Sequence, residues 1–376
     1  MSGSPLRVAV LGAGTVGREV IGALLTRSAD LLPADGRAPV LTAIAVRDVD
    51  HAVATGLPAA MVSDAPAHLV ADPEVDVIVE LMGGDEPAHT LIAAALSMGK
   101  SVVTANKHVI AHHGAELEAL ARRRGGVLRC EAAVGGGIPI LGPLASDLAG
   151  NRVERVRGIV NGTTNFILTA MTDAAAPLDF AAALAEAQRL GYAEADPSGD
   201  VEGLDAINKL VILARLAFDV WLDPAAIATR PDGTDGPAGP GITTVTLADQ
   251  DDARRDGRII RLVATASAGS RDDAEIEAAV LPTALPLGSA LGRTAGVRNR
   301  IEVDAVPVGR VGFDGPGAGG AATSSAVLGD LIAIARGAGS TWAARRPAAR
   351  AIGEPVARPD RPVLAAASGV GYPIDD

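Results

Sequence analysis

A chain of 376 residues, 48% hydrophobic and 21% charged, is long enough for two cores and too apolar to be disordered throughout. Its formal net charge of -12, with no basic stripe carrying interleaved aromatics, excludes nucleic acid as a partner. No apolar run reaches the roughly 18 residues of a membrane span, and "MSGSPLRVAVLGAG" lacks a signal peptide's long apolar region, so a cytoplasmic protein with no membrane partner is expected.

In chain order, "LRVAVL" (6–11) predicts a strand, "GAGTVG" a turn, and "REVIGALLTRSADLL" a helix. "PVLTAIAV" (39–46), "DVIVELMGG" (76–84) and "SVVTANK" (101–107) predict further strands, with helical spacing in "EPAHTLIAAALSMG" between the last two. This alternation is that of an α/β fold with a doubly wound, Rossmann-like parallel sheet. Gly12, Gly14 and Gly17 make a GxGxxG pattern. Its first glycine permits the tight turn, its second lets a pyrophosphate approach, and its third lets helix and strand pack. A dinucleotide cofactor is expected at the helix start. Residues 28–39 read as an inserted loop before the second strand, which ends "AVRDVD": Arg47 favours NADP, while Asp48 leaves NAD open.

From about 127 the pattern changes. "VLRCEAAVGGGIPIL" reads as a strand and a glycine cluster, placing a boundary near 140. Strands in "ERVRGIVNG", "IIRLVATA" and "EIEAAVLP", with helices near 164–173, 178–190 and 202–219, predict an α+β substrate and dimerisation domain over 141–314. "RPDGTDGPAGPG" (230–241) reads as a loop with no capacity to pack. "GPGAGGAATSSAVLGDLIAIARG" (315–337) is a glycine turn and helix expected to return to the nucleotide domain of residues 1–140. The proline-punctuated stretch 338–376 reads as an irregular tail.

Cys130 is the single cysteine, so no internal disulfide forms, and it reads as a small buried hydrophobe. His108 and His112 in "HVIAHH" can share a helix face, but no HExxH and no acidic ligands accompany them in the sequence, so no transition metal is expected. Lysine is the more telling residue. Of 33 basic residues only Lys100, Lys107 and Lys209 are lysine, and arginine cannot give up its proton near neutral pH. Lys107 and Lys209 therefore stand out as candidates for proton chemistry.

The stretch "GYAEADPSGDVEGLDAINK" (191–209) carries Glu194, Asp196, Asp200, Glu202 and Asp205 ahead of Lys209. Helical spacing makes Asp205 and Lys209 neighbours. A surface ion pair of that kind leaves Glu194 and Asp200 unexplained, whereas a pocket for an ammonium group beside an acid/base lysine explains all four.

From Ala187 to Lys209 the run resembles the signature of the homoserine dehydrogenase family, at Ala187, Gly191, Tyr192, Asp196, Pro197, Asp200, Gly203, Asp205 and Lys209. "GAGTVG", "VVTANK" (102–107), "EAAVGGGIPI" (131–140), "VNGTTNFIL" (160–168) and "GAGGAATSSAVLGDL" (317–331) resemble the same family, over about residues 6–337. The resemblance implies reversible hydride transfer between NAD(P) and L-homoserine, giving L-aspartate 4-semialdehyde, in threonine, methionine and isoleucine biosynthesis. It implies that Glu194 and Asp200 hold the substrate ammonium. Lys209, oriented by Asp205, exchanges a proton with the terminal oxygen, and Lys107 stabilises charge there. By the same resemblance Tyr192, Gly162 and Thr163 line the substrate pocket. Gly12, Ala13, Gly14, Thr15, Val16, Gly17, Arg47, Lys107 and Gly317 serve the cofactor. Glu131 and the backbone oxygens of Val134, Gly136 and Ile138 form a monovalent cation site, for Na+ or K+. A homodimer is implied too. Many family members continue into a regulatory ACT-type domain about where this chain stops, so feedback by threonine is expected to be weak or absent. Two alternatives stay open: another amino-acid dehydrogenase with the same glycine turn, and a catalytically inactive NADP-binding regulator.

Overall fold

The computed structural model describes residues 4–28, 30–31, 36–173, 175–229, 241–269, 276–348, 363–365 and 371–373. The chain divides into two compact units, one of Met1–Asp147 with Ala318–Arg346 and one of Leu148–Gly317 with Pro347–Asp376.

In the first unit, β1 (Leu6–Leu11), β2 (Pro39–Ala45), β3 (Val62–Ser63), β4 (Val77–Glu80), β5 (Ser101–Thr104) and β6 (Leu128–Arg129) form a parallel sheet in the order β3-β2-β1-β4-β5-β6. Strands covered on both faces must be apolar throughout. Accordingly Val8, Ala9, Val10 and Leu11 in β1 and Val77, Ile78 and Val79 in β4 are fully buried. The order reverses between β1 and β4, and ligands of such sheets bind at the carboxyl ends of the strands beside that reversal. The helix Gly320–Ala335 belongs to this unit, and its Val327 and Leu331 share one core cluster with Val8, Val10, Val20 and Ile21. A Cβ on Gly320 would stand 3.0 Å from the Thr15 carbonyl oxygen, so this helix meets the first turn of helix Thr15–Thr26 closely.

The GxGxxG glycines act differently from one another. Gly12 has φ +100°, and a Cβ there would meet the Leu81 carbonyl oxygen at 2.6 Å. One on Gly17 would stand 2.1 Å from the Gly12 carbonyl oxygen, while one on Gly14 would meet nothing within 4 Å. Gly17→Ala is therefore expected to cost about 1–3 kcal/mol of stability through overpacking, whereas Gly14→Ala leaves stability nearly unchanged. Urea denaturation of both variants checks this.

In the second unit, β7 (Arg152–Ile159), β8 (Arg258–Ala268), β9 (Ile276–Pro286), β10 (Arg298–Val306) and β11 (Gly309–Pro316) form an antiparallel sheet in the order β11-β10-β7-β8-β9. Helix Leu204–Phe218 is packed on all sides, with every residue from Asp205 to Ala217 buried. The region read from sequence as an irregular tail differs from that expectation. Trp342 is 1% exposed in the first unit, and β12 (Val363–Ala365) pairs with β13 (Gly371–Pro373) in the second. Tyr372 is the anchor, buried, with its hydroxyl donating to Asp249 Oδ2 at 2.9 Å. The proline count obscured two short apolar triplets. The loop predicted at 230–241 lies outside the described residues except for Gly241, and residues 29 and 32–35 of the predicted insertion lie outside them too. No described helix is long and apolar enough to cross a membrane.

Candidate functional site

At the carboxyl edge of the parallel sheet, Gly14 caps helix Thr15–Thr26 without a side-chain hydrogen bond and no acidic residue stands in the first turn, which leaves the helix N–H groups to an anion. Ala13 and Val16 are half-buried, and Gly14 and Thr15 are exposed. After β2, Arg47 is exposed and makes no hydrogen bond or ion pair among the described residues. Asp48 is already engaged as the cap of the next helix, accepting from His51 N at 2.8 Å. Gly317 falls in the second unit, where a Cβ would overlap Asn299 Oδ1.

Two strands further along the same sheet, a buried network ties the ends of β4 and β5 together. Glu80 Oε1 accepts from Met82 N at 2.8 Å and Gly83 N at 3.3 Å, and Thr104 Oγ1 donates to Oε2 at 2.6 Å. Asn106 N donates to Thr104 Oγ1, Asn106 Nδ2 donates to the Gly84 carbonyl, and Asn106 Oδ1 caps helix Lys107–Arg124. Lys107 is the first residue of that helix, so its position follows from this network. Burial pushes the Glu80 pKa up against the hydrogen bonds that hold it down. A carboxyl that is harder to ionise folded than unfolded contributes stability below the unfolded pKa, and that contribution is lost as pH rises through the folded value. Glu80→Gln should therefore gain stability relative to the parent as pH rises from about 4.5 to neutrality, as thermal melts across that range will show.

Glu131 is also buried and its pKa is raised, chiefly by burial. Its carboxylate accepts from Ile140 N, Leu141 N and Gly142 N at 2.7–2.9 Å, capping the short helix Leu141–Ala145. Among the described residues no hydrogen bond reaches the carbonyl oxygens of Val134, Gly136 or Ile138. Cys130 is fully buried and its thiol pKa is pushed up by burial, so it is an inert core residue.

In the second unit two carboxylates of the stretch 191–209, Asp200 and Asp205, meet Lys209 through one shared network. Lys209 and Asp205, 8% and 9% exposed, make a buried pair rather than a surface one, with Lys209 Nζ donating to Asp205 Oδ2 at 2.7 Å. Nζ also donates to the Val160 carbonyl at 2.7 Å. Asn161 Nδ2 bridges Asp205 Oδ2 at 2.8 Å and Asp200 Oδ1 at 2.7 Å, while its Oδ1 accepts from Thr164 N and caps helix Gly162–Ala170. Thr163 Oγ1 donates to the Tyr192 carbonyl at 2.7 Å, and Tyr192 tilts over Phe166 with ring centroids 5.1 Å apart. Gly162 allows close passage, since a Cβ there would stand 2.9 Å from the Val297 carbonyl oxygen. Glu194 is not drawn into the cluster: it is exposed, and among the described residues its carboxylate makes no hydrogen bond.

The chemistry of this cluster follows from valence. A neutral lysine amine has two N–H bonds and one lone pair. Val160 and Asp205 take both N–H bonds, so the lone pair points along the remaining tetrahedral direction, where it can accept a proton and later return it. Asp200 and Asp205 each bring a negative charge to this cluster, which favours a substrate ammonium beside it.

Comparisons with known proteins assign both parts of the chain to one family. A family model described as "Homoserine dehydrogenase" matches residues 139–332, and one described as "Homoserine dehydrogenase, NAD binding domain" matches residues 12–131. The homoserine dehydrogenase of Mycobacterium tuberculosis (strain ATCC 25618 / H37Rv) is 44% identical over 334 residues, covering 88% of this chain and 73% of its own. The chain belongs to the homoserine dehydrogenase family. A homoserine dehydrogenase structure from Thiobacillus denitrificans matches with TM-score 0.82 and 39% identity over 89% of this chain and 74% of that one. A hyperthermophilic archaeal homoserine dehydrogenase in complex with NADPH matches with TM-score 0.69 and 27% identity over 88% and 97%. As a member of the homoserine dehydrogenase family the chain is an NAD(P)-dependent oxidoreductase.

Within that homoserine dehydrogenase framework, two sets of contacts were not predicted from sequence. Asn161 sits in the quoted run "VNGTTNFIL" as an Asn before a helix, a cap signal, but its bridge between Asp200 and Asp205 is a long-range contact. The second set surrounds "HVIAHH". His108 Nε2 lies 3.7 Å and His113 Nε2 2.9 Å from Asp85 Oδ1, so acidic neighbours do accompany these histidines, supplied by the loop after β4.

Proposed function

We propose that this chain catalyses the reversible oxidation of L-homoserine to L-aspartate 4-semialdehyde with NADP as the favoured cofactor, in threonine, methionine and isoleucine biosynthesis. The observation that carries the reading is Lys209, buried with two of its hydrogen-bonding directions fixed and one left over. In the oxidation direction Lys209 takes the hydroxyl proton of the substrate, held in orientation by Asp205 and the Val160 carbonyl. Asp200 and Glu194 hold the substrate ammonium, with Asn161 fixing Asp200, and Thr163 and Tyr192 shape that side of the pocket. When bound, the nicotinamide accepts or returns the hydride. The residues that would hold the cofactor are the glycine turn 12–17, the helix N-terminus and Arg47, with Lys107 completing the set. Lys107, fixed by the Asn106 cap, supplies positive charge at the carboxyl edge of the sheet.

The NADP preference rests on Arg47 being unengaged among the described residues while Asp48 is a helix cap. Charge-assisted hydrogen bonds are worth about 1.5–3 kcal/mol, so Arg47→Ala should weaken NADP+ about 10- to 100-fold and leave NAD+ nearly unchanged, read from the KM for each. Three carbonyls near Glu131 in the chain that accept no hydrogen bond among the described residues support a monovalent cation at Glu131, Val134, Gly136 and Ile138; equal activity in potassium, sodium and organic-cation buffers would oppose it. A cytoplasmic homodimer completes the reading, supported by the outer edge of β11, whose backbone needs cover, and sedimentation velocity tests it. Nicotinamide absorbance with L-homoserine and each cofactor tests the whole. Nucleotide binding without turnover would favour the inactive regulator.

A further inference from the structure

On the first unit, helices Ala88–Ser97 and Lys107–Arg124 bring together side chains that the dehydrogenase chemistry does not use. His89, His113 and Glu116 each offer one ligand atom, and these atoms all lie within 4.8 Å of one another. His113 and Glu116 are three apart on one helix, so they share a face, and His89 projects from the first turn of the other.

Three features distinguish this group from a solvated patch of histidines and acids. His89 Nε2 is buried and among the described residues has no hydrogen-bond partner. It lies 3.6 Å from Glu116 Oε2, and metal–ligand bonds of 2.0–2.2 Å at tetrahedral angles separate neighbouring ligand atoms by about 3.3–3.6 Å. Each imidazole also carries a carboxylate on its other nitrogen: Glu86 Oε1 is 3.3 Å from His89 Nδ1, and Asp85 Oδ1 is 2.9 Å from His113 Nε2. That is how proteins orient metal-binding histidines, because the carboxylate fixes the tautomer and makes the free nitrogen the better donor. The rings themselves are stacked face to face, with centroids 3.9 Å apart and planes 14° from parallel, so coordination of one ion through both requires them to turn out of this stack.

We propose that His89, His113 and Glu116 bind one divalent transition-metal ion, of the zinc, cobalt or nickel class, with water in the remaining position and Glu86 and Asp85 as orienting carboxylates. Two imidazoles and one carboxylate suit those ions over calcium or magnesium, which take oxygen ligands. Occupancy would clamp the helix that begins at Lys107 to its neighbour and stabilise this unit by mass action.

The test uses the full chain without an affinity tag, stripped with chelator. Cobalt is titrated and followed by its visible absorption, and zinc by equilibrium dialysis. Expected are one saturable ion per chain and a tetrahedral cobalt spectrum. Glu116→Gln, at an exposed position that does not threaten folding, and His113→Gln should each weaken binding at least tenfold. Asp85→Asn should weaken it by about 10- to 100-fold, and His112→Gln should leave it unchanged. Absence of saturable binding, binding insensitive to Glu116→Gln and His113→Gln, or binding lost in His112→Gln would each overturn the proposal.

Discussion

Replacing Lys209 by methionine should lower kcat for homoserine oxidation by about 100- to 10,000-fold, the range for a general acid/base group, while NADP+ binding stays intact. Methionine keeps most of the volume of the buried stem, so the core of helix Leu204–Phe218 loses little packing. The charge is another matter. Removing one partner of a buried pair typically costs about 3–5 kcal/mol because the other is left behind. Here Asp205 retains the Asn161 Nδ2 hydrogen bond, which places the expected loss at the lower end. Cofactor affinity measured by fluorescence and folding measured by circular dichroism separate a chemical loss from collapse. A methionine variant that oxidises homoserine within tenfold of the parent would remove Lys209 from the reaction.

The two halves of the molecule differ in how far the sequence discloses them. The parallel sheet is visible because β1 and β4 are short, mostly apolar runs, interrupted only by Arg7 and the terminal Glu80, and the glycine turn follows a strand, so local pattern and topology coincide. Strands β10 and β11 were not named from sequence, although Ile301, Val303 and Ala305 alternate with Arg300, Glu302 and Asp304. Charged residues mask such a strand when their partners are remote. Arg157 is paired with Glu302 at 3.1 Å and Arg155 with Asp304 at 2.8 Å, each across a sequence gap of well over a hundred residues. Only the register of β7 against β10 makes these charges compatible with burial.

The candidate site divides in the same way. Asp205 and Lys209 are four apart on one helix, so their contact is a local property. Asp200 belongs to the short helix Ser198–Val201 before that one, and nothing in its spacing says that Asn161 reaches it. Asp85 lies on a loop after β4 while His113 lies midway along a helix, and sequence reading counts neither as the other's neighbour. Contacts set by helix period were legible, and contacts set by tertiary closure were not.

The sharpest consequence concerns Asn161. Asn161→Asp preserves the size of the side chain and the oxygen that caps helix Gly162–Ala170, and changes only the donor that bridges Asp200 and Asp205. At neutral pH the new carboxylate would face two others across hydrogen-bond distances, so it must either repel them or hold a proton. Repulsion displaces Asp205 from Lys209 and Asp200 from the substrate ammonium. A loss of about 100-fold in kcat/KM, near 2.7 kcal/mol, is expected, with NADP+ affinity unchanged. The sign of the pH effect is specific. Below the pH at which the new group takes up a proton it becomes a donor again, so the ratio of variant to parent activity should rise as pH falls. Asn161→Ala lacks both cap and bridge, which costs about 1 kcal/mol of helix stability, and its activity ratio should not recover in acid. A variant ratio that is flat with pH for both substitutions would mean that the bridge is a structural link and that the two carboxylates act independently of it.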